Sequence, residues 1–362
     1  MTSGAFPFEA NPNPVDAAER AARLVDPGFG RVFTDHMVTI RYSDAKGWHD
    51  AKVGPRAPLT LDPATAVLHY AQEIFEGLKA YRLADGTMAL FRPEQNARRF
   101  QRSAKRLAMP ELPEDMFLQA CKQLVQVDKD WFPPVDGGSI YLRPFMIASE
   151  VFLGVKPSSE YLFMVIASSA GNYFKSGVPA ISIWVSEQYT RAARGGTGAA
   201  KCGGNYAASL VAQSEAIRQG CDQVVFLDAA EHRWVEELGG MNLFFLFDDG
   251  SLLTPPADGT ILEGITRDSV LTLARAQGLT VREELYAMDQ WRADAESGRL
   301  VEVLACGTAA VVTPVGTVKS TQGAFTIGAG GAGQMTQQIR TKLVDIQRGA
   351  AADTHGWVHR ID

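Results

Sequence analysis

The stretch RGGTGAAKCGGNYAASL, residues 194–210, places one lysine, Lys201, in a glycine-rich segment just before an apolar helical pattern. Glycines let the backbone approach a bound molecule closely. A lysine in this setting is poorly solvated, and a desolvated lysine can lose its proton and attack a carbonyl to form a Schiff base. A phosphate-binding loop of the form G-x-x-x-x-G-K-[ST] is excluded, because Ala200 precedes the lysine and Cys202 follows it. On this segment alone, a chemical role and an ordinary loop lysine remain equal alternatives.

The composition is that of a globular protein with a mild negative charge. Its 362 residues, 46% of them hydrophobic, allow two domains or one large α/β unit. The net charge of -6 argues against general binding to nucleic acid. The 4 cysteines lack paired spacing, so they predict neither a zinc site nor disulfides and fit a reducing compartment. The N-terminus lacks a secretory signal and no apolar run could span a bilayer, so we expect a cytoplasmic protein without membrane or metal partners.

The helix and strand patterns divide the chain into two parts. Residues 33–42 predict a strand, residues 45–50 predict a turn, and Pro93 begins a basic helix at a position that proline tolerates. The first half has strands around a helical pair, which predicts a small N-terminal domain over residues 1–174. The second half is richer in strands and predicts a larger domain over residues 175–362.

A pair of carboxylates lies in VEELGGMNLFF, residues 235–245. Alternation along a strand puts Glu236 and Glu237 on opposite faces, so only one of them can face a site. A carboxylate that faces a protonated heterocycle stabilises its positive charge, and we expect this of Glu237. The alternative is an ordinary surface glutamate, which we expect Glu236 to be.

Two segments predict backbone sites for anions. Ile265 and Thr266 stand at the start of a helix, where N–H groups without helical partners bind anions, and Thr266 is also a natural N-cap. A strand is interrupted at Thr308 and Ala309, where a turn would expose further N–H groups. The first segment by itself favours a simple cap. Together the two segments could hold a phosphate and a carboxylate side by side.

Arginines and aromatic residues complete the candidate set. One arginine of the basic helix, residues 93–108, could turn inward to bind phosphate, which its planar guanidinium suits, while the others stay solvated. Several aromatic side chains could line an apolar pocket with hydroxyl groups, although a single strand aromatic is more often plain core. They are Tyr70, Phe75, Tyr141 and Tyr173.

A series of motifs follows along the chain: FTDHM, EIFEGLKAYR, YLRP, GTGAAKCGGNYAASL, EELGGMNLFF, LEGITR and ACGTAAVVTP. In this order they resemble the branched-chain amino acid aminotransferases, which have fold type IV of the pyridoxal-phosphate enzymes. The resemblance implies a mixed α+β and α/β fold, with a small N-terminal α/β domain and a larger β-rich C-terminal domain that forms a pseudo-barrel and binds pyridoxal 5'-phosphate. It implies reversible transfer of the amino group from L-leucine, L-isoleucine or L-valine to 2-oxoglutarate. It also implies a homodimer in which the neighbouring small domain completes each active site.

The resemblance assigns a role to each matching cofactor residue. It implies that Lys201 forms the Schiff base with the cofactor and shuttles the proton. Glu237 is expected to pair with the pyridine nitrogen, and Tyr206 to hydrogen-bond the O3′ hydroxyl. Gly240 stands where some relatives carry a threonine, so one hydroxyl contact near the cofactor is absent. The phosphate contacts are expected from Arg99, Ile265, Thr266 and Thr308.

The resemblance also assigns the substrate site. Thr308 and Ala309 match the turn whose N–H groups hold the substrate carboxylate. Arg143, or a tyrosine hydroxyl, is expected to meet the distal carboxylate of glutamate. The redox C-x-x-C of the animal members is replaced by AVVT at residues 310–313, so we expect no thiol switch there. The small-domain residues of the site are Tyr70, Arg143, Leu153 and Val155. The residues of the apolar pocket are Phe29, Phe75, Tyr141, Tyr173 and Met241.

Four rival functions differ in how well the sequence fits them. D-amino acid aminotransferases and aminodeoxychorismate lyases share the lysine and the glutamate, but they lack the full set FTDHM, YLRP and ACGTAAVVTP. A non-catalytic binder of phosphate ligands, using the same helix start and turns, is an alternative from a different class. A nucleotide-binding oxidoreductase is excluded, because no G-x-G-x-x-G follows a strand.

Overall fold

The computed structural model describes residues 4–135, 137–171 and 180–361, which form two compact units. The second unit follows most of the first in sequence. The first unit also includes two segments from later in the chain, and one of them contains Lys201. The domain boundary expected after residue 174 falls outside the described residues and stays a prediction. The first unit comprises Met1–Tyr173, Ala200–Gly203 and Ile346–Asp362, and the second comprises Phe174–Ala199 and Gly204–Asp345.

The first unit contains an eight-stranded sheet. Its strands are β1 (Val32–Ser43), β2 (Gly47–Pro55), β3 (Glu73–Phe75), β4 (Leu78–Arg82), β5 (Met88–Phe91), β6 (Ser139–Ala148), β7 (Glu160–Ala170) and β17 (Val358–Ile361). They lie in the order β17-β5-β4-β6-β7-β1-β2, and β3 pairs with β6. Every one of these pairs is antiparallel, and the β1–β2, β4–β5 and β6–β7 pairs join strands that are consecutive in the chain.

Two long helices, α3 (Pro93–Arg106) and α4 (Glu114–Val127), pack against this sheet. Pro93 occupies the start of α3, as predicted, because a first-turn residue needs no N–H partner. Phe100 and Phe117 of these helices meet Phe163 of β7, with ring centroids 5.5 and 6.2 Å apart. These buried rings form the centre of the core of the first unit. The shorter helices are α1 (Ala17–Leu24) and α2 (Ala66–Tyr70).

The interpretation of residues 45–50 as a turn is largely wrong. The turn ends at residue 46, and β2 begins at Gly47. Tyr42 lies opposite Trp48 in the antiparallel pair, and their rings are 5.1 Å apart, which fixes the register of the hairpin. The sequence does not indicate a strand here because polar and apolar residues do not alternate over residues 47–50.

The second unit contains a nine-stranded mixed sheet. Its strands are β8 (Ile181–Ser186), β9 (Gln223–Leu227), β10 (Val235–Leu238), β11 (Asn242–Phe247), β12 (Ser251–Thr254), β13 (Thr280–Glu283), β14 (Leu300–Gly307), β15 (Val311–Ser320) and β16 (Gly323–Thr326). They lie in the order β10-β9-β8-β15-β14-β11-β12-β13, and β16 pairs with β15. The β8–β9, β8–β15 and β12–β13 pairs are parallel, whereas the others are antiparallel.

Apolar strands and helices enclose the core of the second unit. Phe245 of β11 packs against Tyr286 and Trp291 at ring-centroid distances of 4.7 and 4.9 Å. The remaining helices are α5 (Gly203–Arg218), α6 (Ile265–Ala276), α7 (Met288–Glu296) and α8 (Gln334–Gln347). Among the described residues, no helix has the length and apolar character needed to cross a membrane. Across the same part of the chain, no group of three or more His, Cys, Asp or Glu side chains could hold a metal ion.

Candidate active site

Lys201 lies in the first unit, on a loop whose backbone is fixed on both sides. Its N–H donates to Ser103 Oγ at 2.9 Å, and its carbonyl accepts the N–H of Phe75 at 2.9 Å. The ammonium nitrogen lies 4.8 Å from the centroid of the Phe75 ring. Two residues further on, the N–H of Gly203 donates to Glu73, a carboxyl whose pKa is raised by burial. These contacts hold the half-buried amine at a defined place in the first unit.

A fully buried carboxylate, Glu76, binds Arg99. Arg99 Nε donates to Glu76 Oε1 at 2.7 Å, and a terminal nitrogen of the same guanidinium donates to Oε2 at 2.8 Å. Asn96 Nδ2 and the N–H of Gly77 donate to Oε2 at 2.7 and 3.1 Å. Burial alone would raise the pKa of Glu76, but the Arg99 guanidinium and the Lys201 amine hold it below its ordinary value. Glu76 is therefore a charged carboxylate inside the first unit.

The neighbouring arginines of α3 differ as the sequence predicted. Arg99 turns inward and its side chain is 5% exposed, whereas Arg98 is 53% exposed and pairs with Glu114 at 3.2 Å. The buried face of α3 also carries Ala97, Phe100 and Ala104, which places Arg99 on the core side of the helix. Its role toward a phosphate stays a prediction.

Aromatic rings of the first unit surround the Arg143 guanidinium. The guanidinium carbon lies 4.7 Å from the Phe75 ring centroid and 5.5 Å from that of Tyr141, whose hydroxyl accepts a hydrogen bond from Arg143 at 3.3 Å. Phe29 packs edge-on against Tyr141 at 4.9 Å. The Arg143 Nε is buried, and no described residue forms a hydrogen bond with it. Gly77 lies directly against the Tyr141 hydroxyl, where a Cβ would overlap it.

Three predicted substrate residues lie on the surface of the first unit. Tyr70 is 37% exposed, Leu153 64% and Val155 90%. The Tyr70 hydroxyl donates to the carbonyl of Leu153, so the end of α2 is tied to this loop. Tyr173, the fourth aromatic of the candidate set, lies outside the described residues.

In the second unit, Glu237 is buried on β10 and held by donors from separate segments. Arg191 lies 2.9 Å from Oε1, which also accepts the N–H of Leu262 at 2.9 Å. Asn242 Nδ2 donates to Oε2 at 3.1 Å and to the Leu262 carbonyl at 3.0 Å. The side chains of Arg191 and Glu237 are only 3% and 4% exposed. The carboxylate therefore has a fixed orientation and a charged partner.

The expectation that Glu236 lies on the surface is wrong. Its side chain is buried, and one carboxyl oxygen has no hydrogen-bond partner in the part of the chain that the structure describes. Burial raises the pKa of Glu236 to about 7, and the nearby Glu237 charge adds to this effect. Adjacent strand positions thus carry a carboxylate with a charged partner and a carboxyl that is partly protonated near neutral pH.

The start of α6 differs from the prediction in one respect. The N-cap is Gly264 rather than Thr266, and no side chain caps the helix. Ile265 is the first helical residue, so Thr266 is the second and its hydroxyl is not used as a cap. A Cβ on Gly264 would overlap the side-chain oxygen of Asn242, so glycine allows the helix to begin beside this residue. No side-chain hydrogen bond caps the helix start, although Asp268 lies in its first turn.

The predicted turn between β14 and β15 is present at residues 308–310. A Cβ on Gly307 would lie 3.2 Å from Met241 Cγ and 3.4 Å from the Gly240 carbonyl. Val311, directly after the turn, has a φ of 64°, a left-handed conformation that is strained for a β-branched residue. Such strain persists only where the surrounding structure fixes the backbone, and it often accompanies binding sites. Gly240 also approaches Tyr206, whose ring would lie 3.9 Å from an added Cβ.

Two charged residues that contact the candidate site residues were not predicted from the sequence. Glu76 is part of the motif EIFEGLKAYR, but its pattern did not show that it pairs with Arg99. Arg191 precedes the glycine-rich stretch by a few residues, and nothing local distinguishes it from the exposed Arg194. In both cases the signal is the pairing of distant residues in the fold.

Comparisons with known proteins agree on one family. Residues 73–318 match the family model described as Amino-transferase class IV. A relative from Streptomyces coelicolor, named "Probable branched-chain-amino-acid aminotransferase", is 58% identical over 362 residues and is covered over 100% of both chains.

Solved structures agree as well. The branched-chain amino acid aminotransferase from Escherichia coli has a TM-score of 0.73 at 29% identity, covering 91% of this chain and 99% of that one. The branched-chain amino acid aminotransferase from Thermobaculum terrenum, solved in its PLP-form, has a TM-score of 0.72 at 26% identity, covering 89% of this chain and 98% of that one. Two units, a lysine held in a fixed loop and full-length similarity lead to one conclusion: this chain belongs to the class IV amino-transferase family.

Proposed function

We propose that this chain is a branched-chain amino acid aminotransferase that uses pyridoxal 5'-phosphate. It transfers the amino group of L-leucine, L-isoleucine or L-valine to 2-oxoglutarate, giving the branched 2-oxo acid and L-glutamate. The observation that carries the proposal is Lys201, whose loop is fixed by Ser103 and Phe75 in a chain 58% identical to a named relative over its full length. The printed name of that relative supports the substrate class.

Several charged side chains have the chemistry that this cofactor needs. Arg99 offers a guanidinium for the phosphate, and Glu237 is a buried carboxylate suited to a protonated ring nitrogen. Gly264 and Gly307 allow the close backbone approaches at the helix start and beside the turn. By the family roles, the remaining cofactor contacts come from Tyr206, Gly240, Ile265, Thr266 and Thr308.

The residues divide the chemistry among them. Bound pyridoxal phosphate supplies an aldehyde carbon that reacts with amines and a ring that accepts the electron pair left at the substrate Cα. Lys201 Nζ acts as the general base that takes the Cα proton and later returns it. Glu237 keeps the ring nitrogen protonated, and the N–H groups at Thr308 and Ala309 hold the substrate carboxylate.

Arg143 gives one pocket two kinds of specificity. An isobutyl side chain needs apolar contact, whereas glutamate carries a second carboxylate. Phe75, Phe29 and Tyr141 supply apolar ring surface, and the Arg143 guanidinium lies among these rings with a buried Nε that has no hydrogen-bond partner among the described residues. A cation that lies against rings contributes flat surface to an apolar ligand and N–H donors to a carboxylate.

The chain is also proposed to form a homodimer in the cytoplasm. The support for the dimer is a set of exposed apolar side chains on α2 and the loop after β6 in the first unit, because such a surface is normally covered by a partner. Its members are Leu68, Tyr70, Val151, Leu153 and Val155. The support for a reducing compartment is that the cysteines are free and buried, at positions Cys121, Cys202, Cys221 and Cys306.

A spectrum of the purified protein tests the proposal. We expect an absorption band that changes on addition of L-leucine and is restored by 2-oxoglutarate, and borohydride reduction should attach the cofactor to Lys201. Lys201→Ala should lower the turnover by at least about 10²–10⁴-fold, because the general base is lost. Lys156→Ala, which changes an exposed lysine paired with Glu150, is the matched control and should keep full activity.

The rival functions give different results in the same experiment. Faster turnover of D-alanine than of L-leucine, or conversion of aminodeoxychorismate, would assign the chain to another activity of this fold. A band that L-leucine does not change would indicate a non-catalytic phosphate-ligand binder. Attachment to a lysine other than Lys201 would refute the assigned mechanism.

A further inference from the structure

We propose that Arg191 is a positioning residue that keeps the proton on the ring nitrogen of the cofactor by holding the Glu237 carboxylate ionised and fixed. This inference rests on the proposed function, in which Glu237 faces that nitrogen. Arg191 has no assigned role in either the sequence analysis or the family roles given above. It would act on the reaction only through Glu237.

The guanidinium of Arg191 is anchored independently of Glu237. One terminal nitrogen donates to the carbonyl of Thr260 at 2.9 Å, and the other donates to the carbonyl of Gly198 at 3.3 Å. The first of these nitrogens also lies 2.9 Å from Glu237 Oε1. A planar group held at several points keeps its orientation, so it fixes the carboxylate that it contacts.

Burial makes the charge of Arg191 decisive for Glu237. Both side chains are almost completely removed from water, at 3% and 4% exposure. A buried carboxyl tends to become protonated unless a positive charge lies beside it. The donors from Leu262 and Asn242 are neutral, whereas Arg191 carries a permanent positive charge. The adjacent Glu236 opposes ionisation of Glu237 only in part, since burial raises the pKa of Glu236 to about 7.

The location of the ring proton follows from this balance. Glu237 and the ring nitrogen compete for one proton, and the more basic group keeps it. With Arg191 present, the carboxylate is the weaker base, so the proton stays on the ring. Without Arg191, the buried carboxyl becomes the stronger base, the ring becomes neutral, and a neutral ring accepts the electron pair from Cα less well.

The experiment uses the full-length protein loaded with pyridoxal phosphate that carries 15N at the ring nitrogen. The 15N shift distinguishes a protonated ring from a neutral one and does not depend on turnover. Arg191→Gln removes the charge, Arg191→Lys keeps it, and Arg194→Gln is the matched control at an exposed arginine paired with Asp258. Circular dichroism checks that each variant folds.

We expect a protonated ring in the wild type, in Arg191→Lys and in Arg194→Gln, and a neutral ring in Arg191→Gln. The kcat of Arg191→Gln for L-leucine should fall about 10–100-fold, as for other groups that orient a reactive residue, with a smaller change in KM. A protonated ring in folded Arg191→Gln would overturn the inference.

The other outcomes also decide the question. If Arg191→Gln does not fold, a neutral ring in the wild type or in Arg191→Lys overturns the inference, and a protonated ring in both supports it. A wild type that turns over L-leucine but has a neutral ring refutes the role of Arg191 and leaves the proposed function standing. A wild type without a cofactor link at Lys201 refutes both.

Discussion

Replacing Glu76 by glutamine removes the negative charge from a carboxylate that accepts two N–H groups from Arg99. The shape of the side chain is kept, but its new amide nitrogen can no longer accept. Glu76 is 0% exposed and the Arg99 side chain is 5% exposed, so the variant leaves a guanidinium charge buried without its counter-ion. Removing one partner of a buried pair typically costs about 3–5 kcal/mol. We expect Glu76→Gln to lower the free energy of unfolding by that amount.

The ion pair of the neighbouring arginine of α3 provides the control. Arg98 pairs with Glu114 at 3.2 Å, but the two side chains are 53% and 38% exposed. Water screens such a pair, and its typical contribution is only about 0.2–1 kcal/mol. Urea unfolding of the wild type, Glu76→Gln and Glu114→Gln without added pyridoxal phosphate measures the difference, because a phosphate bound at Arg99 would itself neutralise the guanidinium. If Glu76→Gln costs no more than Glu114→Gln, the buried pair does not stabilise the first unit as argued.

The pH dependence gives a second check on Glu76. Its pKa is lowered in the folded protein from an ordinary value of 4.5, so its contribution to stability is fully present above that value. The contribution is lost as the pH falls through the lower, folded-state pKa. The stability difference between the wild type and Glu76→Gln should therefore be constant near neutral pH and shrink only in acid. A difference that shrinks between pH 8 and pH 6 would contradict this assignment.

Further variants test other parts of the structure. Arg143→Ala should lower kcat/KM for L-glutamate, with a loss of about 1.5–3 kcal/mol in transition-state binding, the range for a charged hydrogen bond. The kcat/KM for L-leucine should fall less. Equal losses for the two substrates would refute the separate roles of Arg143 and the aromatic rings. Val155→Glu should convert a dimer into a monomer in sedimentation, whereas Val25→Glu, at another exposed valine, should not. Gly77→Ala should lower the melting temperature because its Cβ would overlap the Tyr141 hydroxyl; an unchanged value would contradict this. Because burial raises the pKa of Glu236 to about 7, stability is lost as pH rises toward 7, so the melting temperature of the wild type should fall more between pH 5 and pH 8 than that of Glu236→Gln.

Local patterns were sufficient to locate much of the fold. Pro93 at the start of a basic helix and the interruption of a strand at Thr308 are visible in short windows of sequence, and both are confirmed. Local sequence patterns did not predict the features that depend on residues outside a short window of the chain. Glu236 is buried because both faces of β10 are covered, which alternation along a single strand does not reveal. The N-cap of α6 is Gly264 because the chain turns beside Asn242. The helix-capping propensities of single residues carry no information about that contact.

The candidate site shows the same division. Lys201 and Glu237 stand out because each is a chemically capable residue in a distinctive local setting, whereas Arg99 is distinguished from its neighbouring arginines only by the family resemblance. Their charged partners do not stand out, because each is distant in the sequence. Glu76 lies 23 residues from Arg99, and Arg191 lies on a loop far before β10 in the chain. An arginine or glutamate becomes a buried counter-ion only when the fold brings the pair together. The charged groups that set the ionisation of a site are therefore harder to find than the groups that react.

Because β17 pairs with β5, the edge of β5 stays unpaired until translation reaches β17. Strand β5 binds residues 358–361, the last four described, and Arg92 just beyond it donates to the carbonyl of Trp357 at 2.8 Å. While the ribosome synthesises the intervening segment, for on the order of ten seconds or more, the edge of β5 stays open. An open edge strand recruits other chains. A chain that stops before residue 358 would therefore keep this edge open and be prone to aggregate.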